Sequence, residues 1–310
     1  MSAPTVLKVA TRKSQLALWQ AEHVAALLRA AHPEIAVELL PMSTTGDRVV
    51  DRSLASIGGK GLFIKELESA LTDLRADLAV HSMKDVPSEL PPGLMIAAVL
   101  PRADPYDALV TARASGFAEL PKGARLGTSS LRRQAQLLAA RADLRIEPLR
   151  GNVDTRLKRL EGGALDAIVL ACAGLTRLGL ESRITERLDP KVSLPAVGQG
   201  VIGIECRAGD SRTRRLVHAL EDVPTRAAIE AERAFARRLG GSCQSPIAAF
   251  ARLDTDRLTL DGLVAEPDGS RVLRESIAGS AAQPEMLGIE LADRLLAAGA
   301  AELLERLRHA

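Results

Sequence analysis

Two short apolar runs, ADLAVHS at 76–82 and LDAIVLA at 165–171, constrain this chain more than any other feature. Each is a nearly unbroken stretch of small and branched aliphatics led in by an aspartate, Asp77 or Asp166. Aligning the two aspartates sets RADLAVHS beside ALDAIVLA. A strand apolar on both faces has to be covered on both faces, which calls for an α/β layer architecture. Each run is also preceded by the same grammar. VLKVA (6–10) leads through TRKSQ into a helical pattern with Leu16, Trp19, Val24, Leu27 and Leu28 on or near one face. ARLGTSS (124–130) leads into LRRQAQLLAAR (131–141). Either this is only the likeness that all βαβ units share, or the chain has two similar α/β lobes facing a cleft, with ligands at the carboxyl ends of the strands.

The remaining segments fill out these lobes. VELLPM (37–42), LMIAAVL (94–100), LRIEPL (144–149) and VIGIE (201–205) read as strands, and LFIKELESALTDL (62–74) and NVDTRLKRLEGG (152–163) as helices. STTGDRVVDRSLASIGGKG (43–61) has weak periodicity and several glycines and reads mostly as a loop. PRADPYD (101–107) and SLPAVGQG (193–200) read as connectors. After EDVPT the pattern changes. A helix over 225–239 with Thr225 as its cap precedes three strands, IAAFARL, LTLDGLVAE and RVLRESIAG, and one long amphipathic helix over 284–308. This reads as a third, α+β domain.

Composition narrows the function. Aromatics make up 2% of the 310 residues and the formal net charge is +2, which speaks against stacking on nucleobases and against a general basic field. Three dispersed cysteines with no C-x-x-C pair argue for a reducing compartment, without a disulfide framework or a zinc site. The start, MSAPTVLKVATRKSQ, lacks the apolar core of a signal peptide, and LDAIVLACAGL is too short to span a bilayer. The expectation is a cytoplasmic protein that takes a small molecule, with no nucleic acid, membrane or metal.

Four constellations carry chemistry. Arg12 and Ser14 follow the first strand; Thr128, Ser129, Ser130, Arg132 and Arg133 follow its counterpart; Arg150, Arg156 and Arg177 come at later strand ends and helix starts. Backbone N–H groups and guanidinium forks at such places suit a ligand with several acidic groups. ADLAVHSMKDVP delivers Ser82, Lys84 and Asp85 to the end of a buried strand, where an acid beside a base suits proton transfer, while His81 reads as a packed residue. SIGGKGLF fails the phosphate-loop spacing and reads as a lid carrying Lys60 and Phe63. Cys243 sits in RRLGGSCQSPIA, in a Gly-Gly-Ser turn with Arg237 and Arg238 near, whereas Cys172 and Cys206 read as structural. These features leave two readings open: an enzyme, or a polycarboxylate-binding module without chemistry.

TRKSQLALWQ, STTGD, GGKGLFIKELE, ADLAVHSMKDVP, GTSSLRRQAQ, RGNVDTRL, AVGQGVIGIE and ERAFARRLGGSCQSPIA, in that order from residue 11 to 248, closely resemble the porphobilinogen deaminase family. One departure is Ser245, where the family more often has an aliphatic residue. The resemblance implies two periplasmic-binding-protein-like lobes, 1–100 with 198–218 and 105–193, with hinges near 101–104 and 194–200, and a third domain, 222–310, carrying the cysteine. It implies a dipyrromethane cofactor bound through a thioether to Cys243. The implied transferase activity joins four porphobilinogen units head to tail with release of ammonia, then frees hydroxymethylbilane by hydrolysis. Residue by residue, it implies Asp85 and Lys84 as catalytic. Arg12, Ser14, Lys60, Phe63, Ser82, Thr128, Ser129, Ser130, Arg132, Arg133, Arg150, Arg156, Arg177 and Gln199 are then implied to contact substrate or cofactor.

Overall fold

The computed structural model describes residues 5–48, 64–241 and 245–309. The chain divides into two compact units, one built from 1–103 and 201–226, the other from 104–200 and 227–310.

In the first unit, β1 (Thr5–Arg12) runs into α1 (Gln15–Ala31), followed by β2 (Ile35–Met42), the short α2 (Thr45–Arg48), α3 (Lys65–Thr72), β3 (Leu78–Ser82) and β4 (Leu94–Val99). In the second unit come β5 (Asp107–Thr111), β6 (Arg125–Gly127), α4 (Leu131–Ala140), β7 (Arg145–Glu147), α5 (Val153–Glu161), β8 (Ala167–Ala171), α6 (Cys172–Arg177) and β9 (Glu186–Arg187). The chain then returns to the first unit with β10 (Ile202–Arg207) and α7 (Ser211–His218).

The first sheet has the order β2-β1-β3-β10-β4 and the second β7-β6-β8-β5-β9. Four strands of each run in one direction, and the single antiparallel strand (β10 or β5) is the one that follows a connector. The two sheets therefore share one topology, and the match extends to single hydrogen bonds. The Asp77 carboxylate accepts from the Lys8 backbone N–H at 2.7 Å, and the Asp166 carboxylate accepts from the Arg125 backbone N–H at 2.7 Å. Ser14 caps α1 by accepting from the Ala17 N–H, and Ser130 caps α4 by accepting from the Arg133 N–H. The faces correspond too. Leu78 and Val80 pack with α1, and their counterparts Ala167 and Val169 pack with Leu137 of α4. Ala79 faces Leu67 and Leu71 of α3, and its counterpart Ile168 faces Leu157 and Leu160 of α5.

The second unit continues with α8 (Val223–Arg238), an antiparallel sheet of β11 (Ile247–Asp254), β12 (Arg257–Ala265) and β13 (Val272–Ser280), then α9 (Pro284–Leu295) and α10 (Ala301–His309). Phe235 of α8 and Leu291 of α9 fill the core over one face of this sheet. On its other face Ala248, Phe250 and Leu263 pack on Ala135 of α4 and on Leu194.

Several sequence expectations change. β5, which starts on the last residue of the expected connector, and α6 and α7 form in stretches where the sequence suggested no element, because five- to eight-residue elements carry little periodicity of their own. The cap of α8 comes from Asp222, whose carboxylate accepts from the Thr225 N–H; the Thr225 hydroxyl instead accepts from the Arg102 N–H. The helix expected over 284–308 is broken, since Gly299 adopts φ +105° between α9 and α10. Trp19 lies outward at 36% exposure, stacked on His23, while Gln20 takes the buried position.

Candidate active site

In the first unit, β3 runs buried from Leu78 to His81 and ends in a single 3-10 turn, Met83–Asp85. Met83 is buried there, lodged over Gly203, where a Cβ would clash with its Sδ. That close packing fixes the turn. Asp85 is half-buried, and its carboxylate makes no hydrogen bond or ion pair among the described residues. Ser82 exchanges hydrogen bonds with Gln20, whose Nε2 donates to its Oγ at 2.8 Å. Arg12 is the last residue of β1, and Ser14 serves as the α1 cap. Lys84 is half-buried in the same turn as Asp85.

In the second unit the hydroxyls after β6 are engaged locally. Thr128 accepts from the Ser130 N–H at 3.2 Å, Ser129 from the Leu149 N–H at 3.0 Å, and Ser130 caps α4. Arg132 and Arg133 are buried and converge on one carboxylate, Asp107, at 2.8 and 2.7 Å. Burial alone would raise the Asp107 pKa; the two guanidiniums more than offset it and hold the group below the usual carboxylate range. Arg150, just past β7, is half-buried and has no side-chain partner among the described residues. Arg156 donates to the Gly151 carbonyl at 2.8 Å. Arg177 donates to the Gly200 carbonyl at 2.7 Å, and burial pulls its pKa down to about 10.

Gln199 sits between Gly198 and Gly200, which have φ +72° and +86°. Side chains with a Cβ rarely adopt that backbone, so the two glycines let the connector turn Gln199 inward. There its Nε2 donates to the Pro105 carbonyl at 2.7 Å and to Asp107 at 3.0 Å, and its Oε1, fully buried, has no partner among the described residues. Glu232 of α8 anchors the same connector by accepting from the Gly198 N–H at 2.7 Å. Neither Asp107 nor Glu232 stands out in the sequence, since PYDAL and EAERA carry no local signal for a buried charge.

Cys172 and Cys206 are buried, and their thiols are pushed up to about 12 and about 11, in both cases chiefly by burial. They are protonated and inert at neutral pH. Cys243, Lys60 and Phe63 lie outside the described residues. Among the described residues, no group of three or more His, Cys, Asp or Glu is placed to hold a metal, and no helix is long and apolar enough to cross a membrane.

The family model of the porphobilinogen deaminase dipyromethane cofactor binding domain matches residues 7–215, and that of the C-terminal domain matches 227–297. The chain belongs to the porphobilinogen deaminase family. It is 55% identical over 303 residues to a porphobilinogen deaminase of Syntrophotalea carbinolica, covering 98% of this chain and 96% of that protein. It is 56% identical to one of Xanthomonas campestris pv. campestris, covering 98% and 100%. Among solved structures, the Bordetella pertussis BvgS periplasmic VFT2 domain matches 69% of this chain and 86% of its own at 16% identity, with a TM-score of 0.45. A dipyrromethane of this family presents carboxylates and pyrrole N–H groups. Within the second unit, the Arg150 guanidinium matches a carboxylate and the partnerless Gln199 Oε1 matches an N–H; within the first unit, the Asp85 carboxylate likewise matches an N–H, so the residues of each unit taken by itself fit the group.

Proposed function

We propose that this chain is a hydroxymethylbilane synthase, a transferase that condenses four porphobilinogen molecules head to tail onto a dipyrromethane primer. One ammonia leaves at each addition, and hydrolysis then frees the linear tetrapyrrole hydroxymethylbilane. The primer is held by a thioether to Cys243. The inertness of Cys172 and Cys206 supports that assignment, because the chain has three cysteines.

The observation that carries the reading is the unengaged Asp85 carboxylate at the end of a buried strand. When bound, the primer supplies the nucleophilic pyrrole carbon on which the chain grows. Cleavage of the aminomethyl C–N bond of porphobilinogen releases ammonia and leaves a substrate cation. A fixed carboxylate stabilises that charge, accepts the pyrrole N–H and takes up a ring proton. Asp85 performs these tasks, with Lys84 pairing a substrate carboxylate. Arg12, Arg150, Arg156 and Arg177 pair with the acetate and propionate groups that accumulate two per addition, and Gln199 accepts an N–H. Ser14, Ser82, Thr128, Ser129 and Ser130 shape the strand ends, and Lys60 and Phe63 belong to a covering segment. The two lobes move about hinges near 101–104 and 194–200 as the product lengthens. The enzyme acts as a cytoplasmic monomer.

A polycarboxylate binder without chemistry leaves Asp85 and Cys243 unused. Intact-mass measurement of the denatured chain separates the two readings. A dipyrromethane increment that grows on addition of porphobilinogen is expected; a chain of bare sequence mass that stays unchanged with porphobilinogen would sink the enzyme reading.

A further inference from the structure

Asp107 is the first residue of β5 and is wholly buried. Its two carboxylate oxygens accept from four side chains. Arg132 donates through Nη1 at 2.8 Å and Nη2 at 3.2 Å, Arg133 through Nε at 3.0 Å and Nη2 at 2.7 Å, Ser193 through Oγ at 2.7 Å and Gln199 through Nε2 at 3.0 Å. Further bonds to backbone carbonyls lock each partner: Arg132 to Leu194 at 2.6 Å, Arg133 to Val169 at 2.8 Å, and Gln199 to Pro105 at 2.7 Å. With the amide nitrogen of Gln199 tied on one side, its buried Oε1 is left as an acceptor without a donor among the described residues.

The internal repeat supplies a control for what this cluster does. Ala171 pairs with Asp107, and its counterpart Ser82 pairs with Ile202, so Ile202 holds the place of Asp107 in the first sheet. Counting from the capping serines Ser14 and Ser130, Leu16 and Ala17 hold the places of Arg132 and Arg133. The same topology thus closes with apolar residues in the first unit. A buried ion cluster is weak evidence for stability, and apolar replacements of similar volume are often neutral or better. The fold alone therefore does not account for three charged side chains here. What the cluster achieves is geometric: two arginines and a glutamine from α4 and the connector are held against one another with a net charge of +1 instead of +2.

We propose that Asp107 is a positioning residue for chain elongation, fixing Arg132, Arg133 and Gln199 so that they offer the growing polycarboxylate one positive charge and one carbonyl acceptor. Too strong a cation would hold an intermediate in place, and a loosened one would fail to orient it. This rests on the function proposed above.

The test is intact-mass spectrometry of wild type, Asp107→Asn and Ser193→Ala after brief exposure to porphobilinogen, with thermal melting to verify folding and turnover counted per adduct-bearing chain. Wild type is expected to show the primer and a ladder of longer adducts. A bare wild-type chain overturns the functional reading and this proposal with it. Folded Asp107→Asn is expected to stall at short adducts or to lack the primer, with turnover per adduct-bearing chain at least about 10-fold lower. A merely structural role lowers the yield of folded protein but leaves the ladder and the turnover per adduct-bearing chain unchanged, and that result overturns the proposal. If Asp107→Asn does not fold, Ser193→Ala decides, since its hydroxyl touches the carboxylate without touching either arginine. A roughly 3- to 10-fold slower ladder at near-native melting is expected, and an unchanged ladder overturns the proposal.

Discussion

His81 Nε2 lies 2.8 Å from a carboxylate oxygen of Glu205, with both side chains buried on adjacent antiparallel strands. Applying the internal correspondence, Leu170 and Val110 take these places in the second sheet. The polar pair is thus peculiar to the unit that delivers Asp85. Removing one partner leaves the other buried and unpaired, so His81→Leu is expected to lose about 3–5 kcal/mol. The double variant His81→Leu/Glu205→Val copies the second lobe and is expected to recover most of that loss. Denaturant titration of the three proteins checks this, and a double variant no better than the single would refute it.

Glu68 on α3 senses the same pair. Its pKa is pushed up to about 7, first by burial and then by the charge of Glu205, against the lowering influence of His81 and Lys65. Unfolded, it titrates near its ordinary 4.5. Between these values the folded state binds more protons than the unfolded state, so this group's contribution makes stability fall as pH rises from about 4.5 to about 7 and then level off. Glu68→Gln removes the penalty. Melting is expected to be higher than wild type at pH 8 and nearly equal at pH 4; the same shift at both pH values would count against a titration origin.

The Asp85 carboxylate has no partner among the described residues, so its loss should leave stability almost untouched. Asp85→Asn is expected to melt within a few degrees of wild type while turnover falls by on the order of 10²-fold or more. Turnover near the wild-type rate would remove its assigned role.

Arg132 and Arg150 separate in a way their sequence contexts do not suggest. Arg150→Leu is expected to slow elongation with little change in stability. Arg132→Leu also strips Asp107 of two charge-assisted hydrogen bonds and is expected to cost roughly 2 kcal/mol or more in addition. Parallel unfolding and mass-ladder measurements on the two variants check the split; equal stability losses would contradict it.

Cys243→Ser is expected to purify at bare sequence mass and to be inactive. The same chain bearing the dipyrromethane increment would move the anchor elsewhere.

The local pattern of the chain determined most of its elements and hinted at the repeat, which the shared strand order then established. The two apolar strands, the helices that follow the hydroxyl-and-arginine turns, and the equivalence of Asp77 with Asp166 all rest on periodicity and short-range chemistry. Those are properties of neighbouring residues and survive without knowledge of the fold. The strand-end position of Asp85 belongs here too, since a buried strand must stop before MKD. Tertiary structure decided the rest. β5 is too short to announce itself and forms because β8 and β9 offer it edges. Ser14 and Ser130 were legible as turn hydroxyls, but their use as helix caps depends on where each chain turns. Above all, Asp107 meets Arg132, Arg133, Ser193 and Gln199 across separations of 25 to 92 residues. Pairings at that range are set by which strands lie side by side, and charge buried this deeply persists only where the topology brings its partners to it.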